Sequence, residues 1–543
     1  MALGTAPVAQ RFENPRELLG DRLKGVYRLL ADEGHRLFPD DYFADCYKDS
    51  HRGRPTVPAR VLATVMVLQA HEGLSDQEAV DHLECDLRWQ AAAGVEAGCE
   101  AFHPTTLVGQ RNRLRASERP KRFLEDTKVV AREANVLGHR VRVLDSTPIY
   151  DAVTTEDTVT QLRAAIRKLL RALEGSSLMV RVRLALSRDD DYAGPDKPPC
   201  DWDDPEAREA LVDALVRDAL AGLAALEGRE LLGPVREAAE LLALVAGQDV
   251  EEGDDGVFHI ARRVARDRVI STVDTEARHG HKSRARTFDG YKAHLAVDPD
   301  DELITNVSVT PANAADRDVI DDLLEESNAD AQEPAAAQEP GDAQKSGDVG
   351  DAGEDAADPV VVFGDSAYAD GATLDKLAKA GHEVFVKVPP VRNAKGYSKD
   401  AFRVDLDADT VECPAGHAAP IRPRRGGGGV ARFAPWCDDC PLRAACTTAR
   451  SGRAITIHPH EARLQQAKTA QQNPDWQQTY RATRPTVERK IAHFTRRAWG
   501  GRKARTRGQA RILTDVIARA GAINLARLAR LGLHYQPGGW AIA

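Results

Sequence analysis

Residues 359–370 read PVVVFGDSAYAD, and this stretch decides the fold class. It holds four consecutive apolar residues (360–363), followed by Gly364 and Asp365. A continuous apolar run of this length is typical of a central strand that is buried on both faces. Sheets covered by helices place their ligand sites at the carboxyl ends of such strands. The stretch therefore predicts an α/β domain in which Asp365 reaches a site.

The neighbouring segments predict further elements of that domain. A helix is predicted at 372–383 and another strand at 384–389, directly downstream. Upstream, two β-rich runs within 288–311 flank the turn residues 298–301, which predicts a hairpin. A helix should follow it, starting near residue 313 and running to 326.

A second carboxylate is predicted at the end of an earlier strand. In HRVRVLDST (139–147), basic and apolar residues alternate, which indicates a strand that ends near Asp145. Residues 157–247 are rich in Ala, Leu, Glu and Arg and predict an all-α insert. Residues 327–358 contain no aromatic residue, leucine or isoleucine, so they predict a disordered acidic linker inserted in a loop.

The net charge of −10 conceals two segments of opposite sign. Residues 325–358 carry eleven acids and one lysine, a net of −10, so the remainder of the chain sums to about zero. Residues 480–530 carry fourteen Arg or Lys against two acids, a net of +12. Such a basic segment indicates a polyanion partner, and a solvated basic helix face is the alternative.

Residues 1–135 are predicted to be helical. A break at 73–75, with Ser75 as the helix cap, separates two helices, and HPTTLVGQRNRLR (103–115) follows them. This pattern is compatible with a DNA-binding helix-turn-helix and equally with an ordinary helical bundle. The chain has no run of 18 apolar residues, and its first residues lack the pattern of a secretory signal. We therefore expect no membrane span and a cytoplasmic location.

A third carboxylate stands out in TRPTVERKIAHFTRR (483–497), where Glu488 is the lone acid among five basic residues. Pro485 predicts the start of a helix whose apolar face Glu488 borders. Singly, such acids are often turn formers, helix caps or paired surface charges. Together, Asp145, Asp365 and Glu488 would form the minimum cage for a pair of Mg²⁺ ions that acts in phosphoryl transfer.

Five motifs occur in the order found in DDE transposases of bacterial insertion sequences, and the chain resembles that family from about residue 50 to 535. The motifs are VLDSTPIYDA, DGYKAHLAVD, VTPANAADRD, FGDSAYAD and RPTVERKIAHF. The N-terminal GRPTVPARVLATVMVLQAHEGLSDQEAVDHL and the tail GAINLARLARL also resemble the family's flanking helices. A cysteine-rich insert makes the chain similar to the group numbered eleven eighty-two. The resemblance implies an α/β fold with an RNase H-like catalytic core behind an N-terminal helical domain.

The resemblance also implies a set of site residues. Asp145, Asp365 and Glu488 match the family's catalytic carboxylates, which bind two Mg²⁺ (or Mn²⁺) ions. Arg484 matches the arginine of the family's tyrosine–arginine–glutamate–lysine signature, since it lies four residues before Glu488. The signature's tyrosine falls at Arg481, next to Tyr480.

The lysine of that signature falls at Thr495, which Arg496 and Arg497 follow. The implied partner is double-stranded DNA, both transposon ends and target, bound by a homodimer in the nucleoid. The predicted DNA-binding residues are basic side chains of the hairpin and of the C-terminal segment: Lys292, Arg484, Arg489, Arg496, Arg497, Arg502, Lys503 and Arg505.

Four of the eight cysteines cluster, with the spacing Cys-x23-Cys-x2-Cys-x5-Cys. They are Cys413, Cys437, Cys440 and Cys446. Four thiolates at such spacing satisfy a closed tetrahedral Zn²⁺ site, and free structural cysteines are the alternative. His417 is a possible replacement for one thiolate. A zinc ion here would be structural and would brace a small β insert.

These observations predict an enzyme, a transposase that binds the terminal inverted repeats of its element and catalyses metal-dependent DNA cleavage and strand transfer. The alternatives are a catalytically inactive, transposase-derived DNA-binding protein and an RNase H-like nuclease without strand transfer. The predicted segments are the N-terminal helical domain (1–135), the first core strand (136–155), the α-helical insert (156–260), the core hairpin and helix (261–326), the linker (327–358), the core strand with Asp365 (359–392), the cysteine-rich β insert (393–460) and the basic helical part with Glu488 (461–543).

Overall fold

The computed structural model describes residues 14–47, 56–138, 140–194, 196–261, 265, 267–283, 285–325, 359–391, 393 and 396–543. The predicted acidic linker at 327–358 lies outside these residues. Among the described residues, helices and several sheets form a mixed α/β structure, in agreement with the predicted class.

The N-terminal part is helical, as predicted. Its helices are α1 (Pro15–Leu19), α2 (Gly25–Leu37), α3 (Ala59–Glu72), α4 (Asp76–Cys85), α5 (Leu87–Ala93), α6 (Thr105–Arg115) and α7 (Arg122–Glu133). The Ser75 side chain accepts a hydrogen bond from the Glu78 backbone N–H (3.2 Å), and the Glu78 carboxylate accepts one from the Ser75 N–H (2.7 Å). This reciprocal capping box confirms Ser75 as the start signal of α4.

The next segment contains the first core strand and the insert. Its elements are β1 (Val141–Tyr150), α8 (Thr158–Ala172), α9 (Ser177–Ala185), α10 (Pro205–Ala224), α11 (Gly233–Gln248), β2 (Val250–Glu252) and β3 (Phe258–Ile260). The insert helices bury their own hydrophobic cluster, which includes Leu162, Leu215 and Leu242. The all-α insert predicted at 157–247 is confirmed by these four helices, and the β2–β3 hairpin follows it within the wider segment 156–260.

The central sheet is completed by β4 (Arg278–Ser283), β5 (Arg286–Val297), β6 (Ile304–Pro311), β7 (Val361–Gly364) and β8 (Glu383–Val386), with α12 (Ile320–Leu324) and α13 (Gly371–Lys379) between them. The strand order is β6-β5-β1-β7-β8, and β4 extends the edge of β5 that β6 occupies. β5 is antiparallel to both β1 and β6, whereas β7 is parallel to β1 and to β8. The predicted hairpin and buried strand are confirmed.

Two element boundaries differ from prediction. β1 continues to Tyr150 because β5 pairs with it along residues 143–150, so Asp145 lies inside the strand rather than at its end. The helix expected from residue 313 begins later, with a 3₁₀ turn at Asp316–Val319 followed by the short α12.

The remaining elements follow in chain order: β9 (Arg403–Asp405), β10 (Thr410–Glu412), β11 (Ala418–Pro423), β12 (Gly429–Arg432), α14 (Ala434–Cys437), α15 (Arg443–Cys446), β13 (Ala454–Ile457), α16 (Glu461–Ala470), α17 (Pro474–Thr483), α18 (Pro485–Phe494), α19 (Gln509–Arg530), β14 (His534–Gln536) and β15 (Gly539–Ala541). β9 to β13 form a separate sheet in the order β13-β12-β11-β10-β9. None of the described helices is long and apolar enough to cross a membrane.

Each face of the central sheet has its own core. On one face, Val143 and Phe363 join a cluster that also contains side chains of α18, α19 and the N-terminal helices. On the other face, Leu144 and Val362 pack with α12 and α13. Because successive side chains of a strand alternate between faces, residues 145 and 146 of β1 project towards different clusters. The N-terminal helices therefore share a continuous core with the sheet.

The contact between α3 and the segment after α18 is unusually close. Gly73, which ends α3, has φ of +68°, and a Cβ atom there would lie 2.5 Å from the Gly500 nitrogen and 3.0 Å from the Ala498 oxygen. Only glycine permits both this left-handed backbone and this approach of two main chains.

We therefore predict that Gly73→Ala destabilises the protein more than Gly98→Ala does. Gly98 also has a positive φ (+74°), but nothing lies within 4 Å of its would-be Cβ, so its substitution costs only the backbone strain of about 1–2 kcal/mol. Gly73→Ala adds overpacking of roughly 1–3 kcal/mol. Urea unfolding measures both variants, and equal losses would contradict a close-packed junction.

Candidate active site

Asp145, which lies in β1, is level with Asp365, which directly follows the neighbouring strand β7. β1 and β7 are parallel, with Val143 opposite Phe363, so two further residues bring Asp145 beside Asp365. Asp365 directly follows β7 and caps a short turn, because its Oδ1 accepts a hydrogen bond from the Ala367 N–H at 2.8 Å. Two predicted catalytic residues, distant in sequence, are thus brought together by strand register.

Arg484 connects Asp145 with Glu488. Its Nη2 atom lies 2.8 Å from Asp145 Oδ2, and its Nη1 atom lies 3.9 Å from Glu488 Oε1. The Arg484 side chain is 8% exposed and the Glu488 side chain 65% exposed, so the guanidinium is buried and the glutamate stands at the rim. The structure therefore brings Asp145, Asp365, Arg484 and Glu488 to one place.

Burial and charge crowding perturb the acids and the arginine. Burial raises the pKa of Asp365; the Ala367 N–H opposes this shift, and the neighbouring Asp145 charge adds to it. Burial alone would lower the pKa of Arg484, but its ion pair with Asp145 outweighs burial, so the Arg484 pKa is raised. The positive charge of Arg484 therefore does not offset the effect of burial and of the Asp145 charge on the Asp365 pKa.

Tyr480 lies next to position 481, where the tyrosine of the expected signature would fall. Tyr480 is buried and donates a hydrogen bond to the Gly364 carbonyl at 3.0 Å, whereas Arg481 is exposed. Arg484 has helical φ and ψ of −56° and −38°, so the backbone stays helical from α17 into α18. Tyr480, Arg484 and Glu488 therefore follow a spacing of four, which places them on one flank. This four-residue spacing is visible in the sequence and is the signal that could have indicated Tyr480.

These residues line an open groove of about 890 Å³. Its walls include residues that sequence reasoning did not assign to the site, namely Ser146, Asp316 and Lys387, as well as the predicted Lys292 and Arg502. Thr495, at the expected lysine position, instead donates its hydroxyl hydrogen bond to the Ile491 carbonyl (2.8 Å) and ends α18.

The other predicted DNA-binding residues have varied surroundings. Arg489 is paired with Glu302 at 3.0 Å. Arg505 donates to the Leu74 carbonyl at 2.7 Å and is paired with Asp515. Residues 496, 497 and 503 are exposed. The structure therefore does not bring Arg489 and Arg505 into the groove wall.

The four clustered cysteines line one small cavity together with His417. Burial raises the pKa of the Cys446 thiol; Arg453 lowers it, and the other three cysteines raise it further. Cys437 Sγ accepts a hydrogen bond from the Arg453 N–H at 3.4 Å. Over the described parts of the chain, no three His, Cys, Asp or Glu side chains are arranged closely enough to hold a metal ion as they stand.

Opposite stability effects should follow from neutralising the two aspartates without added cation. Asp145→Asn leaves the buried Arg484 without its counter-charge, and we expect a loss of about 3 kcal/mol. Asp365→Asn should raise the melting temperature at pH 7, because the carboxylate with a raised pKa ionises at a cost in the folded state.

The pH dependence checks the sign. The Asp365 penalty is complete above its folded pKa and absent below its unfolded pKa, so the advantage of Asp365→Asn should vanish as the pH falls through this window. Melting curves in a chelator from pH 3 to 7 measure it. An Asp365→Asn protein less stable than the wild type at pH 7 would contradict the charge crowding.

Two parts of the chain match known families. Residues 412–529, which include Arg484, Glu488 and the four clustered cysteines, match the family described as Transposase DDE domain. Residues 19–113 match the family described as Transposase domain (DUF772). No curated protein and no solved structure matches the chain. The two matched segments, one before β1 and one after β7 in the sequence, are therefore similar to transposases, the second to their DDE domain.

Proposed function

We propose that this protein cleaves and joins DNA at the ends of its own insertion sequence, with Asp145, Asp365 and Glu488 as its catalytic carboxylates. The observation that carries the proposal is their convergence on one groove through the β1–β7 register and the Arg484 bridge. The groove is open and has basic residues on its walls, which suits a long polyanionic substrate better than a small molecule.

The central sheet supports an RNase H-like core. It has an antiparallel β1, β5 and β6 unit followed by parallel β7 and β8, in the order β6-β5-β1-β7-β8. In this proposal α18 and α19 cover one face and α13 the other, and the helical and cysteine-rich segments are insertions. Asp145 and Asp365 would occupy the neighbouring strands at the centre of that core.

Carboxylates are the chemical type of ligand that divalent cations take, and the three acids would have to move closer together to hold one. Asp365 has a raised pKa beside Asp145, which is the electrostatic condition that a bound cation relieves. Asp145, Asp365 and Glu488 would hold two Mg²⁺ or Mn²⁺ ions. When bound, such ions supply activation of an attacking oxygen and stabilisation of the leaving one.

The protein's own residues would orient the reaction. Arg484 holds the Asp145 carboxylate from the helix side, and Tyr480 fixes the same helix to the end of β7 through Gly364. Lys292 and Arg502 on the groove walls would contact phosphates. The two steps proposed are attack of water on the phosphodiester at the transposon end, then attack of the freed 3′-hydroxyl on target DNA.

A wider DNA surface is supported beyond the groove. In α6, burial lowers the pKa of Arg115, and the like charges of Arg511 and Arg111 lower it further. These three arginines would form a basic patch where the N-terminal helices meet the start of α19, with Arg111 also paired with Asp76 at 2.5 Å. We propose that duplex DNA runs from this patch along residues 502–511 to the groove, bound by a homodimer in the nucleoid.

The test of the activity is a strand-transfer assay with Mg²⁺ and the element's terminal repeats. Glu488→Gln should reduce cleavage and transfer by about 100-fold or more, since it removes a ligand worth several kcal/mol in the transition state. Asp475→Asn is the control, because this exposed acid on α17 lies outside the groove.

Three other outcomes would reject the proposal in different ways. Specific binding of the repeats without metal-dependent cleavage would indicate a transposase-derived DNA-binding protein. Cleavage without joining would indicate a nuclease. Full activity of Glu488→Gln would show that this glutamate is not catalytic.

We also propose that the cysteine cluster holds one structural Zn²⁺. The four cysteines share one cavity, and the other three raise the Cys446 pKa. Both observations support the proposal, since a bound cation would relieve the repulsion between thiolates. Elemental analysis of the purified protein should find about one zinc per chain. Cys440→Ser should lower this content, whereas Cys85→Ser, an exposed cysteine outside the cluster, should not. A zinc-free wild type that is fully folded would overturn it.

A further inference from the structure

A second charged cluster lies across β1 from Arg484. Asp145 and Ser146 are adjacent in the strand and project towards different faces of the sheet. Ser146 Oγ donates a hydrogen bond to Asp316 Oδ2 at 2.6 Å. Lys292 Nζ donates to Asp316 Oδ1 at 2.7 Å and to the Ala314 carbonyl at 2.7 Å. Both carboxylate oxygens of Asp316 are therefore engaged by groove residues.

This cluster is joined to the catalytic aspartate by one further hydrogen bond. The backbone N–H of Ser146 donates to Asp145 Oδ1 at 2.8 Å, while Arg484 holds Asp145 Oδ2. A chain of polar contacts thus runs from Lys292 through Asp316 and Ser146 to Asp145. The two oxygens of Asp145 are held by different groups, the Ser146 backbone N–H and the Arg484 guanidinium.

Asp316 is the strongest charge near several buried groups on this face. Burial would raise its pKa, but His294, Lys292 and Ser146 outweigh burial and lower it, which keeps Asp316 ionised. The His294 Nδ1 atom and the Tyr368 hydroxyl are buried and have no hydrogen-bond partner among the residues that the structure describes. Burial lowers the pKa of His294 and raises the pKa of Tyr368, and Asp316 is the charge with the largest further effect on each pKa.

A helix-capping role does not account for Asp316. At the start of the 3₁₀ turn, the Ala315 N–H donates to the carboxylate of Asp318 at 3.1 Å. The side-chain contacts of Asp316 are instead with Ser146, 170 positions away in sequence, and Lys292. The long-range contacts point to a function in the groove.

We infer that Asp316 is a positioning residue, which acts through Ser146 to fix the orientation of the Asp145 carboxylate for cation binding. The inference rests on the proposed function of Asp145. Partners that orient a metal ligand typically change metal affinity or activity by about 10–100-fold when removed. Lys292, by neutralising Asp316, keeps its charge from adding to that of the catalytic acids.

The experiment compares Ser146→Ala with Ser308→Ala. Ser146→Ala removes the hydroxyl but keeps the backbone N–H that reaches Asp145. Ser308 is the matched control, because its hydroxyl also donates to an aspartate of the following helical segment (Asp322, 3.3 Å) without a link to Asp145. Both substitutions are small, and melting curves establish that each variant is folded.

Two readouts are measured. Mn²⁺ affinity, from electron paramagnetic resonance without DNA, should fall about tenfold in Ser146→Ala and stay unchanged in Ser308→Ala. In the strand-transfer assay, Ser146→Ala should lower kcat about tenfold and leave KM for the end DNA within about twofold. Asp316→Asn should give at least the same loss, and adding Ser146→Ala to it should cost little more, because both act through one hydrogen bond.

The outcomes separate this inference from the proposed function. If the wild type joins no DNA, the transposition activity is rejected. If Ser146→Ala still binds Mn²⁺ more weakly than that wild type, the positioning role is retained. Wild-type Mn²⁺ affinity and kcat in folded Ser146→Ala would overturn the positioning role, whatever the wild type does to DNA. Fully additive losses in the double variant would also overturn it.

Discussion

The ion pair between Arg484 and Asp145 is the interaction on which the site depends. A buried guanidinium is costly unless a charge faces it, and Asp145 provides that charge at 2.8 Å. The pair fixes the junction of α17 and α18 against β1, and the hydrogen bond from Tyr480 to Gly364 fixes the same junction against β7. One helical junction therefore holds two neighbouring strands, β1 with Asp145 inside it and β7 with Asp365 directly after it, and Glu488 takes its position from that junction.

The strands that carry the site were predictable because their signals are local. The apolar run before Gly364 and the turn after Val297 each specify an element within a few residues. The full length of β1 was not predictable, since it results from pairing with β5, more than 100 residues away. Asp145 was therefore placed at a strand end although pairing continues beyond it to Tyr150.

Sequence reasoning did not assign Tyr480 or Asp316 to the site, and the physical reason differs between the two. Pro485 correctly predicted the start of α18, but a helix start does not reveal that only Arg484 lies between α17 and α18 and that Arg484 is helical. The contact between Asp316 and Ser146 depends on tertiary packing across 170 residues, and no periodicity reports it. Nearby residues thus specify the helices and strands, whereas contacts between distant residues decide which side chains meet in the groove.

The N-terminal helices and the sheet share one core, which bears on the DNA binding that we propose. α3 and α7 pack against α19, and α18 packs against β1, so the N-terminal helices and the elements that carry the carboxylates share one packed core. If both touch the same duplex, the spacing between the sequence that is recognised and the phosphate that is cut is set by the protein, as by a ruler. Insertion of half a turn of DNA between them would present the wrong side of the double helix to the groove.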